Sequence, residues 1–153
     1  MTHECPVCHA RTCIPESQHS ACYRALVMRA EDTPFVRAYV ECALWASTDE
    51  STESGGYPMD QNYALEDIAP ETLARMVDDC VAFQRDHAAD LDALVPYDVG
   101  QGGHDFWLTR NRHGAGFWDG DWPEDVGKRL TDAAHAYGEF TLYVDDDGKV
   151  HGS

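Results

Sequence analysis

Four metal-ligating residues lie close together near the N-terminus, as Cys5-Pro6-Val7-Cys8 and His19-Ser20-Ala21-Cys22. In each pair two residues separate the ligands, so that one tight turn can present both to the same ion, with a thiolate about 2.3 Å from the metal. Two such pairs complete a tetrahedron, and a closed tetrahedral site is structural rather than catalytic. The sequence therefore predicts a structural Zn²⁺ held by Cys5, Cys8, His19 and Cys22.

Cys13 is the alternative to His19 as the third of these ligands, because a thiolate suits zinc equally well. We favour His19 because its spacing from Cys22 repeats the spacing of the first pair, whereas Cys13 has no partner at that distance. Metal binding would supply folding free energy to a segment too short to build a core of its own. This predicts a zinc-knuckle-like unit over residues 1–30.

A second group of chemically capable residues lies between positions 104 and 122, which include three Trp, two His and two Arg. His113 with Asp119 would supply a general base and its orienting carboxylate, and Arg110 or Arg112 would hold an anionic substrate. His104 and Asp105 are adjacent and would point to opposite faces of a strand, which disfavours that pair. The enzyme alternative is thus metal- or His-assisted hydrolysis centred on His104 and His113. We favour the alternative in which the aromatic rings of this segment fill the core.

The charge of the chain points to a different kind of function. It contains 28 acidic and 11 basic residues, a formal net charge of −17 at pH 7. Residues 1–30 hold two acids and three arginines, whereas residues 31–153 hold 26 acids and eight bases. Because phosphates are neutralised by Lys and Arg, this main body disfavours DNA or RNA and favours a protein with a basic site. The three arginines near the zinc ligands leave nucleic-acid binding through that unit as a further alternative.

The predicted binding surface combines acidic residues with aromatic anchors. Its acids lie on the outer face of a predicted helix and include Asp78, Asp79 and Asp86. Such a face could imitate the phosphates of duplex DNA, although a solvated surface would look the same in the sequence. The anchors, provided that they are exposed, are Phe117, Trp107, Trp118 and Trp122.

The elements that must position these residues follow from periodicity. Apolar residues at helical spacing predict three main helices, over 34–47, 70–94 and from Trp122-Pro123 to Gly138. Two β-hairpins are expected, one over 104–118 and one that turns at Asp147-Gly148. The order of elements predicts an α+β fold, with a small antiparallel sheet covered by the helices.

Two units are predicted, the zinc-binding knuckle over 1–30 and an acidic α+β domain over 31–153. The segment 48–61 is small, acidic and glycine-rich, which is typical of an exposed loop. Cys42 and Cys80 stand alone in helical segments and are expected to be buried. The start of the chain lacks the features of a signal peptide, and no apolar run approaches the roughly 20 residues of a membrane span, so we expect a cytoplasmic protein.

Three segments of the acidic domain resemble a family of small acidic proteins encoded by tailed bacteriophages. They are 41–47 (ECALWAS), 65–73 (LEDIAPETL) and 103–119 (GHDFWLTRNRHGAGFWD). The resemblance covers roughly residues 35–150 and leaves out the first thirty. It implies a phage origin and the host cytoplasm, and it assigns no catalytic residue. With the charge, it predicts a phage accessory protein that binds a host or phage protein, as a DNA mimic or anti-defence inhibitor.

Overall fold

The computed structural model describes residues 16–53, 55–93 and 98–153, with side chains from residue 24 onward. In these ranges the helices are α1 (Glu16–Asp32), α2 (Pro34–Ala46), α3 (Pro70–Asp86), α4 (Ala88–Leu91), α5 (Val99–Arg110) and α6 (Glu124–Tyr137). The strands are β1 (Thr48–Asp49), β2 (Tyr57–Pro58), β3 (Leu142–Val144) and β4 (Val150–Gly152). Two 3-10 turns, Met59–Gln61 and Leu65–Asp67, precede α3. The fold is α+β as predicted, with more helix than expected.

The pair formed by α2 and α5 is the centre of the fold. Helix α2 begins at Pro34, as predicted, because the proline ring presets the dihedral angle of the first helical turn. Phe35 and Tyr39 on α2 are buried and contact the Phe106 ring of α5, with ring centroids 6.2 and 5.2 Å away. Gly103 permits this close approach, since a Cβ at that position would overlap the carbonyl oxygen of Phe35.

The segment 104–110, predicted to be a strand of the first hairpin, is instead part of helix α5. The Asp98 side chain caps the helix by accepting a hydrogen bond from the Gln101 backbone N–H at 3.2 Å. The prediction was wrong because the Phe-Trp-Leu-Thr run has high β propensity and the helix has no polar face. All residues from Asp105 to Arg110 are buried, and burial overrides such propensities. Residues 115–118 form turns rather than a strand.

The predicted helix over 70–94 is divided into α3 and α4 at His87, whose φ of −127° and ψ of 24° depart from helical values. Its predicted apolar stripe nevertheless faces the core, since Leu73, Met76, Val77, Cys80 and Leu91 are all buried. Helix α6 ends at Gly138, which has a φ of 76° and was predicted to stop it. Cys42 and Cys80 are free and buried, as expected.

Both sheets are two-stranded and antiparallel. Strands β3 and β4 form the hairpin predicted at Asp147-Gly148, with Gly148 at a φ of 77°. Strand β4 contacts the start of α3, where the Ala69 N–H donates to the Val150 carbonyl at 2.8 Å. The pair β1–β2 lies in the segment predicted to be only an exposed loop, and Asp49 within it is buried.

Helix α1 crosses the predicted boundary between residues 30 and 31. It is 17 residues long, and Leu26 and Ala30 on it belong to the main core. The division into two domains stays a prediction, because residues 1–15 lie outside the described part of the chain. No helix in the described ranges has the length and apolar character needed to cross a bilayer.

Candidate functional site

The predicted zinc ligands lie outside what the structure describes. Cys5, Cys8 and the alternative ligand Cys13 precede the first described residue, and the side chains of His19 and Cys22 are likewise not described. Helix α1 includes the backbone of both His19 and Cys22, which places them three residues apart on one helix. Elsewhere in the described ranges no group of three His, Cys, Asp or Glu side chains could hold a metal ion. The zinc site stays a prediction.

Arg110, predicted to hold an anionic substrate, is instead a buried structural residue with 2% of its surface exposed. Its Nη1 donates to the Tyr39 hydroxyl and to Asp79 Oδ2, both at 2.9 Å. Its Nε donates to the Gly138 carbonyl at 2.9 Å and its Nη2 to the Tyr137 carbonyl at 3.2 Å. This Arg110 network joins α5 to α2, α3 and the end of α6. The guanidinium is therefore occupied by the protein itself.

Asp105 is a buried carboxyl group that contacts the side chains of Trp122, Gln101 and His104. Its Oδ2 accepts from Trp122 Nε1 at 2.7 Å and from Gln101 Nε2 at 2.9 Å. Burial raises the pKa of Asp105, although these hydrogen bonds favour the ionised form and oppose the shift. His104 Nδ1 lies 3.5 Å from Asp105 Oδ1, so the two neighbours do approach each other. The expectation that they point apart was wrong because it assumed a strand.

His113 and Asp119, the other predicted catalytic pair, are both exposed. Asp119 Oδ2 accepts a hydrogen bond from the Gly116 N–H at 3.1 Å, which stabilises the turn between them. The His113 N–H donates to the Leu108 carbonyl at 2.9 Å, just beyond the end of α5. His104 lies on α5 more than one turn before its end at Arg110, beside Asp105, and lines a cavity whose lining does not include His113. The structure therefore does not bring the two histidines together.

Of the predicted aromatic anchors, Trp118 alone meets the condition of exposure, with 54% of its surface accessible. Phe117, Trp107 and Trp122 are buried in the core. Trp118 lies beside a cavity of about 850 Å³ whose lining also includes Trp122 and Phe117. A binding role for Trp107 and Trp122 would require the core to open.

The predicted acidic face on α3 is partly neutralised by arginines. Asp78 is exposed, but Asp79 belongs to the Arg110 network and Asp86 Oδ1 lies 3.0 Å from Arg85 Nε. The Arg85 guanidinium lowers the pKa of Asp86. A binding role for these three acids stays a prediction, and the face carries less free charge than the count of acids indicates.

A larger concentration of acids, which the sequence analysis missed, lines a cleft of about 1020 Å³. The cleft lies between the end of α1, the exposed side of α2, the 3-10 turns and the start of α5. We call it the acidic cleft; its carboxylates are Glu31, Asp32, Glu41, Asp60, Glu66 and Asp98. Arg37 also lines it and lies 3.7 Å from Glu41. Six carboxylates and one arginine leave the cleft strongly negative.

The acidic cleft has an aromatic and partly apolar wall. Trp45 is 59% exposed, and its ring centroid lies 6.4 Å from that of the His104 imidazole. Val40, Leu44 and Leu65 line the cleft among the buried core residues beneath. The sequence held one local signal of this site, because Glu41 and Trp45 are four residues apart on α2 and so share a face. The remaining acids come from elements far apart in sequence.

Cys42 also lines the acidic cleft but is not poised for nucleophilic chemistry. Burial and, to a smaller extent, the nearby Asp105 carboxylate together raise the pKa of its thiol to about 12. At neutral pH the side chain is therefore the neutral thiol, which is a poor nucleophile. The cleft thus offers negative charge and aromatic surface rather than an activated nucleophile.

Comparison with known protein families, curated proteins and solved structures finds no significant match to this chain. The resemblance to phage proteins stays a prediction. Any assignment of function has to come from the site itself.

Proposed function

We propose that this protein binds a basic site on a host or phage protein, and that it acts by this binding rather than by catalysis. The observation that carries the proposal is the acidic cleft, where six carboxylates and an exposed tryptophan line one cavity. Charge of one sign concentrated in a concave surface steers an oppositely charged partner, and an exposed aromatic ring supplies contact area.

The way in which the basic residues are used supports this proposal. Four arginines of the main body already face carboxylates of the same chain: Arg37, Arg85, Arg110 and Arg129. A fifth, Arg75, lies over the Phe140 ring, 4.8 Å from its centroid. Because these cations are engaged and 26 acids share the main body with only eight bases, the field outside the molecule is negative.

The biological setting that we propose is that of a phage accessory protein in the host cytoplasm, acting as a DNA mimic or anti-defence inhibitor. The resemblance of residues 35–150 to phage proteins and the net charge of −17 support it. A DNA mimic occupies the site where its partner binds duplex DNA. In that case, duplex DNA and this protein would compete for the partner.

The experiment uses the full chain as bait in lysate from a phage host, followed by titration of the captured, purified partner. We expect affinity to fall at least fivefold between roughly 50 mM and 150 mM salt, because screening weakens exposed charge pairs. A change below about twofold would contradict the electrostatic proposal. Displacement of the bound partner by duplex DNA distinguishes a DNA mimic from other acidic inhibitors.

Hydrolysis is the second candidate function. It would be centred on His104 and Asp105, which lie 3.5 Å apart beside the acidic cleft, rather than on His104 and His113, which the structure does not bring together. The His104→Ala variant should keep its fold, since that side chain is 45% exposed, and should lose any turnover of nitrophenyl ester or phosphate probes. Under the binding proposal, the wild-type protein does not turn over these probes at all.

The predicted zinc unit carries two proposals of its own, a structural Zn²⁺ and nucleic-acid binding through its arginines. Native mass spectrometry with and without a strong chelator tests the first: we expect one zinc, lost together with structure in the N-terminal segment. Fluorescence anisotropy with short DNA and RNA at low salt tests the second. Absence of binding there would exclude it.

A further inference from the structure

We propose that the acidic cleft binds an arginine- or lysine-bearing segment of the partner, with one cationic side chain held between the Trp45 ring and the surrounding carboxylates. This rests on the proposed function and gives it a location. The face of a tryptophan ring attracts a cation, and nearby carboxylates attract the same cation by their opposite charge. Trp45 and the acids line the same cavity, so both interactions are open to one side chain.

The shape of the acidic cleft suits an extended segment. Its volume of about 1020 Å³ exceeds what one side chain would fill, and its lining runs from Glu31 at the end of α1 to His104 on α5. Apolar residues of the core, including Leu44 and Leu65, form part of the wall, so the aliphatic stem of a lysine or arginine would find apolar contacts there.

Charge selects the occupant. A nucleic acid would be repelled by the six carboxylates. A second copy of this chain would bring its own net charge of −17. A basic peptide segment is the occupant whose charge complements the site, and Arg37 is held by Glu41 rather than standing across the cleft as a competitor.

Two exposed tryptophans provide a matched test. Trp45 lies in the acidic cleft with 59% of its surface exposed, and Trp118 lies at the other cavity with 54% exposed. Replacement of either by alanine removes a similar area of largely solvated ring, so neither variant should unfold. Circular dichroism and a denaturation midpoint verify this for both before binding is compared.

The probe is a short fluorescein-labelled peptide of alternating arginine and glycine, titrated into the full chain at low salt. We expect Trp45→Ala to weaken binding about fivefold, the size of a partly desolvated cation–π contact, and Trp118→Ala to leave it within twofold. In NMR spectra of the wild type, the peptide should shift the indole N–H signal of Trp45 and leave that of Trp118 in place.

Three outcomes would contradict the proposal that basic segments bind in the acidic cleft beside Trp45. They are a larger loss in Trp118→Ala than in Trp45→Ala, equal affinities for wild type and both variants, and no binding of the peptide. The first two retain a protein that binds basic segments elsewhere on its surface, so the proposed function would survive them. If the peptide does not bind at all, the proposed function is still tested by the salt titration of the captured partner, which uses no peptide. A control peptide with glutamine in place of arginine should not bind, and equal binding of that control would also overturn the proposal.

Discussion

The Arg110 network and the acidic cleft use the same kinds of side chain in opposite ways. In the network a carboxylate, a phenol and two carbonyls surround a buried guanidinium, and every group has a hydrogen-bond partner. In the acidic cleft six carboxylates and an exposed ring line an open cavity, and the one arginine of the lining lies 3.7 Å from Glu41. The first arrangement neutralises a buried charge within the fold, whereas the second gathers acids of one sign on an open surface, where Glu41 faces Arg37 and Asp98 caps α5.

The two regions share a frame, the pair α2–α5. Helix α2 carries Tyr39 for the network and Trp45 for the acidic cleft, while α5 carries Arg110 near its end and His104 nearer its start. A charged side chain on a buried helix has to be paired, since an unpaired buried charge destabilises the fold. Excess charge on the outside costs only a little stability through repulsion. The comparison implies that changes in the network should harm folding, whereas changes in the acidic cleft should harm binding.

The strongest test of this contrast removes the guanidinium. Arg110→Met should destabilise the protein by about 3 kcal/mol, because it leaves Asp79, the Tyr39 hydroxyl and two carbonyls without their donor. Urea denaturation measures the loss. Arg85→Met, which removes an exposed arginine paired with Asp86, should change stability far less, because solvent screens an exposed ion pair. Equal effects of the two substitutions would show that the network does not stabilise the fold.

The next test breaks the shared frame. Gly103→Ala should cost about 2 to 3 kcal/mol, because the added Cβ would overlap the Phe35 carbonyl oxygen and force α2 away from α5. Gly114→Ala is the control, since no heavy atom lies within 4 Å of a Cβ there. Thermal unfolding followed by circular dichroism should separate the two variants clearly. An unchanged melting temperature for Gly103→Ala would mean that the helices do not meet as described.

A pH titration sharpens the comparison at Asp105, a buried carboxyl that accepts hydrogen bonds from Trp122 and Gln101 and lies 3.5 Å from His104. Burial raises its folded-state pKa, so its contribution to stability is fully present below the unfolded value of about 3.9 and is lost as pH rises through the raised pKa. Asp105→Asn keeps an acceptor for Trp122 and Gln101 but does not titrate. The wild type should therefore gain stability relative to this variant as pH falls from neutral. A constant difference across that range would show that Asp105 has an ordinary pKa.

The smallest effect is expected at the surface. Arg129 contacts Asp90 at 2.8 Å and Asp125 at 3.6 Å, with half of its side chain exposed. Arg129→Gln should destabilise the protein much less than Arg110→Met, and added salt should remove most of that loss. Urea denaturation at two salt concentrations measures both quantities. A loss comparable to that of Arg110→Met would mean that burial is not what separates the two kinds of ion pair.

The sequence predicted those helices and turns that are specified by one apolar helix face or by a single capping or turn residue. Helix α2 from Pro34, the end of α6 at Gly138 and the hairpin at Asp147-Gly148 all follow from local signals. Helix α5 was missed because it is buried on nearly every side, so its sequence carries no amphipathic period. Its glycines serve close helix packing rather than a hairpin.

The candidate site was harder to predict than the fold. Charge counts indicated an acidic binding protein but could not tell which acids pair internally, and Asp79 and Asp86 proved to face arginines. The acidic cleft draws its carboxylates from five separate elements and loops, so only the tertiary structure assembles it. Among the tryptophans, composition could not separate the exposed Trp45 and Trp118 from the buried Trp107 and Trp122.

The affinity of a neutralised cleft for the arginine–glycine peptide tests the central claim most directly. The double variant Glu31→Gln/Asp60→Asn removes two charges from the acidic cleft, and Asp132→Asn/Glu139→Gln removes two exposed charges outside its lining. We predict that the cleft variant binds several-fold more weakly at low salt while its unfolding midpoint stays the same or rises, and that the control keeps its affinity within twofold. Equal losses in both variants, or a cleft variant that unfolds more easily and binds normally, would contradict the claim that these acids serve a partner.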